Sequence, residues 1–306
     1  MISDAEFAQA VATLQTPRDC LRWAETAMRR HGSFLGHGTD DHWDEGLSLM
    51  LHVLSLPWDS DPRLLEARLL PLEVEQFAGL LRRRVNDRVP AAYLTGKAWF
   101  CGFEFAVDER VLIPRSPIAE LIEQRFEPWL EPERVSRVLD LCTGSGCIAI
   151  ACAAAFPAAL VDASDISADA LAVCRENIER HGVEQQVRAL QGDGLKAVEG
   201  RYDLIVCNPP YVDATDMASL PAEYRHEPSL ALASGDDGLD FTRTLLAGAA
   251  EHLTPEGILV VEVGNSQAAV ELNWPEVPFT WLDFERGGQG VFLLTRAQLE
   301  QHSALF

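Results

Sequence analysis

The chain reads as an α/β protein with a mostly parallel, seven-stranded, doubly wound sheet, preceded by a small helical region and a β-hairpin. Three observations predict this. From about residue 121 onward, short apolar runs of strand length alternate with helix-period segments, the order that lays helices on both faces of a parallel sheet. The first of these runs ends in a glycine-rich turn that opens a helix. Before Pro90, apolar residues recur at helical spacing and no alternating strand pattern is present.

In chain order, Phe7, Val11 and Leu14, then Leu47, Met50, Leu51 and Leu54, mark amphipathic helices and place a helical domain at 1–90. Over 93–114 the residues turn aromatic and β-branched around Gly96 and Gly102, which predicts a β-hairpin in a linker at 91–116. The remaining domain, 117–306, carries strands near 138–141, 160–164, 188–192, 204–207, 258–263, 279–284 and 291–295. The last two are expected to form an antiparallel hairpin around Gly287 and Gly288. The apolar stretch 147–160 is too short to span a bilayer, and Pro157 ends it as a core helix.

The glycine-rich turn is Asp140-Leu141-Cys142-Thr143-Gly144-Ser145-Gly146. Gly144 and Gly146 let backbone approach a ligand closely, and the helix start behind them offers free N–H groups. About twenty residues on, Asp165 closes the second strand, where a carboxylate can grip a ribose diol. Asp193 closes the third, placed either for an adenine amino group or as a turn aspartate before Gly194. A nucleoside cofactor is therefore expected. Gly144-x-Gly146-x-x-Ala149 also fits a dinucleotide fingerprint, so a nicotinamide oxidoreductase is the rival from another class. No hydride-transfer acid or base constellation accompanies it.

The fourth strand ends instead in Asn208-Pro209-Pro210-Tyr211, at the place where a doubly wound sheet gathers its ligands. An amide or exocyclic amine is a poor nucleophile because its lone pair is delocalised, so a site must hold both N–H groups and aim the nitrogen. The Asn208 side-chain oxygen and the Pro209 carbonyl are two acceptors for that purpose. The prolines fix φ near about −65° and pre-position them. Tyr211 is expected to pack on the planar group and exclude water. The bland reading is a Pro-rich loop after a strand. With the glycine turn upstream, S-adenosyl-L-methionine is the expected cofactor, Asn208 standing at both cofactor and acceptor, and no metal is required.

These motifs, in this order, resemble the class I methyltransferases that modify protein glutamine side chains on N5, which share a Rossmann-like fold. The resemblance spans nearly the whole chain, through Arg88-x-Pro90-x-x-Tyr93-x-x-Gly96, Leu112-Ile113-Pro114-Arg115, His226-Glu227-Pro228, Gly238-Leu239-Asp240 and Glu262-Val263-Gly264. Members act on peptide-chain release factors or on the third protein of the large ribosomal subunit. Release-factor enzymes typically follow Ile-Pro-Arg with Pro-Glu-Thr, whereas this chain has Ser116-Pro117-Ile118. Together with the 36–40 and 98–102 segments, that implies the ribosomal-protein branch. The resemblance also places Glu227-Pro228 in a loop shaping the pocket, so that Glu223, His226 and Glu227 are structural and not a general-base cluster.

Charge agrees with a basic ribosomal protein as partner, free or in an assembly intermediate. The 306 residues carry a formal net charge of −22, and −18 of it falls beyond residue 90. DNA binding needs phosphate neutralisation by Lys and Arg, so a DNA adenine methyltransferase, which shares the Asn-Pro-Pro-Tyr tetrad, is disfavoured. The best basic stripe, Arg82-Arg83-Arg84 with Arg88, reads as a solvated face at a helix end. His31, His37, Asp40, Asp41, His42 and Asp44 match no metal-site spacing and suggest a loop. Seven cysteines without a Cys-x-x-Cys read as packing residues in a reducing compartment. The N-terminus has no basic n-region of a secretory signal, so a cytoplasmic location without a membrane partner is expected.

Overall fold

The computed structural model describes residues 1–306, apart from the side chain of Ala197. Two compact units emerge: Met1–Lys97 with Pro221–His226, and Ala98–Leu220 with Glu227–Phe306.

The first unit is helical, with α1 (Asp4–Thr13), α2 (Pro17–Arg30), α3 (His42–Leu54), α4 (Pro71–Arg82) and the single turn α5 (Ala91–Thr95). Local chemistry sets the starts. Ser3 caps α1, Asp41 caps α3, and Thr16 forms a reciprocal box with Asp19 ahead of Pro17 in α2. Leu21, Met28, Leu49, Phe77 and Leu81 fill the core between them.

The arginine run differs from the sequence expectation. Beyond α4 the chain widens into a π-helical turn, Arg83–Asp87, and Arg84 points inward, fully buried. Its guanidinium donates to Glu45 Oε1 at 3.0 Å, Glu223 Oε1 at 3.1 Å and the Phe34 carbonyl at 2.7 Å. Arg88 donates to the Gly32 carbonyl and Glu223, and Arg82 pairs with Asp4. Only Arg83 of the cluster is exposed. A guanidinium tolerates such burial only when its nitrogens find acceptors, and each nitrogen of Arg84 has one. Arg84 is an internal brace, with the other arginines of the run nearer the surface.

The β-hairpin is shorter than 93–114. Pro90 starts the turn α5, and Gly96, left-handed at φ 70°, ends it. The strands are β1 (Lys97–Phe100) and β2 (Phe103–Ala106), joined by Cys101 and Gly102, both at positive φ as a two-residue hairpin requires.

The second unit continues with α6 (Ile118–Glu123), β3 (Arg137–Leu141), α7 (Cys147–Ala155), β4 (Leu160–Asp165), α8 (Ala168–His181), β5 (Val187–Gln191), β6 (Tyr202–Cys207), α9 (Ala214–Ser219) and α10 (Asp240–Gly248). It ends with β7 (Leu253–Glu262), α11 (Gln267–Asn273), β8 (Thr280–Leu282), β9 (Val291–Thr295) and α12 (Arg296–Gln301). The seven-stranded sheet runs β5-β4-β3-β6-β7-β9-β8, with β9 antiparallel to both its neighbours. Its central strands are buried on both faces. Val138 and Val206 join the core on one side, and Leu139 and Ile205 the core on the other. Between β3 and β6, where Leu141 lies opposite Cys207, the strand order reverses and a crevice opens at the carboxyl ends. Among the described residues, no helix is long and apolar enough to cross a membrane.

Candidate active site

At the carboxyl end of β3 the chain turns sharply through Cys142, at φ 59°, and Gly144, at φ 54°, before Gly146 opens α7 at φ 81°. The two glycines answer to different constraints. A Cβ on Gly146 would sit 2.7 Å from Cys174 Sγ, a close approach to α8, whereas one on Gly144 would meet nothing within 4 Å. The space above Gly144 is open to a ligand.

Asp140 lies beneath this turn and holds it. Its Oδ2 accepts from the Thr143 hydroxyl at 2.5 Å and the Ala149 N–H at 3.1 Å, while the Thr143 N–H donates to the Ser164 carbonyl at 3.0 Å. Burial pushes the Asp140 carboxyl up to about 7, against the lowering effect of those donors. Asp140, Thr143, Ser145 and Gly146 shape the turn from behind, outside the cleft lining; Cys142 and Gly144 lie within it.

The cleft occupies about 200 Å³. Asp165, at the end of β4, accepts the Gly144 N–H and the Ser167 N–H, each at 2.9 Å. A carboxylate has roughly four acceptor positions, so capacity remains for a vicinal diol. Burial raises its pKa above the usual aspartate range. Asp193 also lines the cleft but is exposed, and its carboxylate holds Lys196 Nζ at 2.6 Å. This favours its turn role over recognition of an amino group.

Asn208 lines the cleft directly after β6, and its Oδ1 is buried with no hydrogen-bond partner. The Ser164 hydroxyl, in the same lining, is equally unpartnered. An orphaned buried acceptor costs about 1–3 kcal/mol; these two face the cleft, where a ligand can supply the missing donor. Pro210 shares the lining, while Pro209 and Tyr211 lie outside it. Tyr211 is fixed elsewhere: its hydroxyl donates to Glu262 Oε1 at 3.1 Å, and its carbonyl accepts from Ser266 Oγ at 2.7 Å. A Cβ on Gly264 would lie 2.6 Å from its ring.

Two parts of the site are pairings made by tertiary structure, between residues that the sequence shows only in separate motifs. Val111 and Leu112 form one lip of the cleft and Pro228, Leu230 and Ala231 another, and the ion pair of Arg115 with Glu227 ties the adjoining segments together. The second is Glu262 behind Tyr211. The sequence signal was weak for both, because each joins residues more than fifty positions apart. A larger open hollow of about 770 Å³ lies by the amino-terminal ends of β4 and β5. There Arg137, Arg188 and the Tyr202 hydroxyl all donate to Asp162, a paired structural network. The crevice at the carboxyl ends instead carries unpartnered polar atoms, Asn208 Oδ1 and the Ser164 hydroxyl. Among the described residues, no group of three or more His, Cys, Asp or Glu side chains is placed to hold a metal.

Comparison with known proteins gives the same direction. The Methyltransferase small domain family model matches residues 125–223. Two curated relatives, from Neisseria gonorrhoeae and Neisseria meningitidis serogroup B, each bear the name ribosomal protein uL3 glutamine methyltransferase. Each is 50% identical over 294 residues, which is 96% of this chain and 98% and 97% of theirs. Among solved structures, the hMettl16 catalytic domain in complex with a MAT2A 3'UTR hairpin is 15% identical, with 73% of this chain and 81% of that one covered. Its TM-score of 0.50 marks a likeness of fold alone.

Proposed function

Because the chain belongs to the family of ribosomal protein uL3 glutamine methyltransferases, we propose that it transfers a methyl group from S-adenosyl-L-methionine to the side-chain N5 of a glutamine in that large-subunit ribosomal protein. One observation carries the acceptor assignment: the buried, unpartnered Oδ1 of Asn208 in the cleft.

The residues present fit the cofactor. Open space over Gly144 admits a nucleoside, Asp165 retains acceptor capacity for a ribose diol, and Ser164 offers an unpartnered hydroxyl. When bound, S-adenosyl-L-methionine supplies an electrophilic sulfonium methyl group. Asn208 Oδ1 accepts one N–H of the glutamine amide and the Pro209 carbonyl accepts the other, aiming the nitrogen at that methyl. Held by these two acceptors, the amide nitrogen would present its electron pair to the methyl group that the cofactor supplies, and would release a proton to solvent as it gained the methyl. Orientation of this kind can contribute roughly 7–11 kcal/mol. Tyr211 serves as a brace for the loop, tied to Glu262 and Ser266.

The acidic chain, at −22, favours a basic protein over DNA as partner, and a cytoplasmic location suits a ribosomal substrate. The test is methyl transfer from labelled S-adenosyl-L-methionine to purified uL3, a release factor and duplex DNA, with mass analysis of the products. Methylglutamine on uL3 alone is expected. Label on the release factor would overturn the substrate, and label on DNA would overturn the charge argument.

A further inference from the structure

Glu262 is the last residue of β7, one step beyond Val261, which lies opposite Cys207 on β6. It therefore stands beside the start of the Asn208–Tyr211 loop. The side chain is buried, close enough to Arg115 to feel its charge while that guanidinium pairs with Glu227. Burial strips such a carboxyl group of hydration, and its two oxygens are engaged by hydroxyls. Ser116 Oγ lies at 2.5 Å from Oε2 and the Tyr211 hydroxyl at 3.1 Å from Oε1. Ser116 Oγ also accepts the Ile118 N–H at 3.2 Å, which holds the hydroxyl in place beside Glu262.

Tyr211 is restrained on three sides. Besides the Glu262 bond, its carbonyl is held by Ser266, and its ring lies against Gly264 so closely that only glycine fits there. The next residue, Val212, bonds to Leu232 and Ser234 through its backbone. Between this anchored end and Asn208 stand only two prolines, whose locked φ leaves little slack. A displacement of Tyr211 therefore reaches Asn208.

We propose that Glu262, supported by Ser116, is a positioning residue for methyl transfer, acting through the Tyr211 hydroxyl to hold the Asn208 acceptor in place. This rests on the reading of Asn208–Tyr211 as the acceptor loop. The Glu262 carboxylate takes no proton from the substrate; it fixes geometry.

The test uses the full chain with Glu262→Gln, Glu262→Ala, Tyr211→Phe and the Tyr211→Phe/Glu262→Ala double variant. Single-turnover methyl transfer to uL3 is measured beside S-adenosyl-L-methionine affinity by calorimetry. Glu262→Ala and Tyr211→Phe should each slow transfer by about tenfold or more, with cofactor Kd changed less than about threefold. The double variant should be no slower than the worse single one, because the two act as one unit. Glu262→Gln, which can still accept from Tyr211 and donate to Ser116, should recover most of the rate. Additive losses, an unaffected rate in Glu262→Ala, or a cofactor affinity that falls in step with the rate would overturn the proposal. Amide exchange at Val212, read without substrate, separates this from the functional reading. Faster exchange in both single variants supports the brace even if the wild type methylates no uL3, and unchanged exchange refutes it.

Discussion

The carboxylate of Glu227 accepts both terminal nitrogens of Arg115, at 2.5 and 2.8 Å, and the Ile113 N–H at 3.0 Å. The Glu227 side chain is entirely buried and that of Arg115 is 22% exposed. The pair clamps residues just after Val111 and Leu112 to the residue just before Pro228, so it fixes the separation of two lips of the cofactor cleft. Arg115→Ala removes both guanidinium bonds from this buried carboxylate, a loss of about 3–5 kcal/mol in comparable pairs. It should lower the melting temperature and weaken cofactor binding by about tenfold or more. Arg115→Lys, which cannot make two parallel bonds, should fall between. Calorimetry and thermal melts decide; a cofactor affinity untouched by Arg115→Ala would show that the clamp does not shape the cleft.

Asp165 separates cofactor binding from transfer. Removing a charged acceptor that serves a diol costs roughly 1.5–3 kcal/mol, so Asp165→Ala should raise the cofactor Kd by about 10- to 100-fold. At saturating cofactor the single-turnover rate should stay within a few-fold of wild type. A rate that collapses at saturation with an unchanged Kd would place Asp165 in the wrong role.

Asp140 makes the ligand-free protein pH-sensitive in a defined direction. Its folded pKa of about 7 lies above the ordinary value of 3.8, so between those values the native state binds a proton that the unfolded state does not. Its contribution to stability is therefore greatest at low pH and declines as pH rises toward and through about 7. Asp140→Asn removes the titration. The variant should melt above wild type by a few degrees at pH 8.5, and the gap should narrow steadily as pH falls from about 7 toward 3.8. A gap independent of pH would mean that Asp140 is ionised throughout.

In the helical unit, Glu223 is held below the ordinary glutamate range by the Phe34 N–H and the Arg84 guanidinium, whose effects outweigh its burial. A depressed acid stabilises above its unfolded pKa, and the benefit is lost as pH falls through the folded one. Glu223→Ala removes one of the two carboxylates paired with the buried Arg84, leaving Glu45, and should destabilise by about 1–3 kcal/mol, read by urea denaturation at neutral pH. The difference from wild type should shrink below pH 4. No loss at neutral pH would remove Arg84–Glu223 as a structural brace.

Sequence pattern revealed the elements whose information is local. The run into Gly144 and Gly146 predicted a strand, turn and helix, and β3, the turn and α7 match it. Asn208 at a strand end predicted an acceptor at the switch point; the residue directly follows β6 and lines the cleft there. What escaped were long-range electrostatic pairings. Arg84 looked solvated because four arginines on a short stretch suggest a surface, and only the π-helical turn with Glu45 and Glu223 explains its burial. Arg115 and Glu227 each stood in a noted motif, but nothing local joins residues 112 positions apart. The hairpin was overextended because Tyr93 and Leu94 have β-compatible side chains, while Pro90 and Gly96 bracket a helical turn.

Asn208→Ala puts the acceptor site to the sharpest test, with cofactor affinity and single-turnover transfer to uL3 measured on the same preparation. Binding of S-adenosyl-L-methionine should stay within a few-fold of wild type while transfer slows by about 10²-fold or more. Transfer that persists near the wild-type rate would contradict this, because the buried acceptor at Asn208 would then have no part in holding the amide.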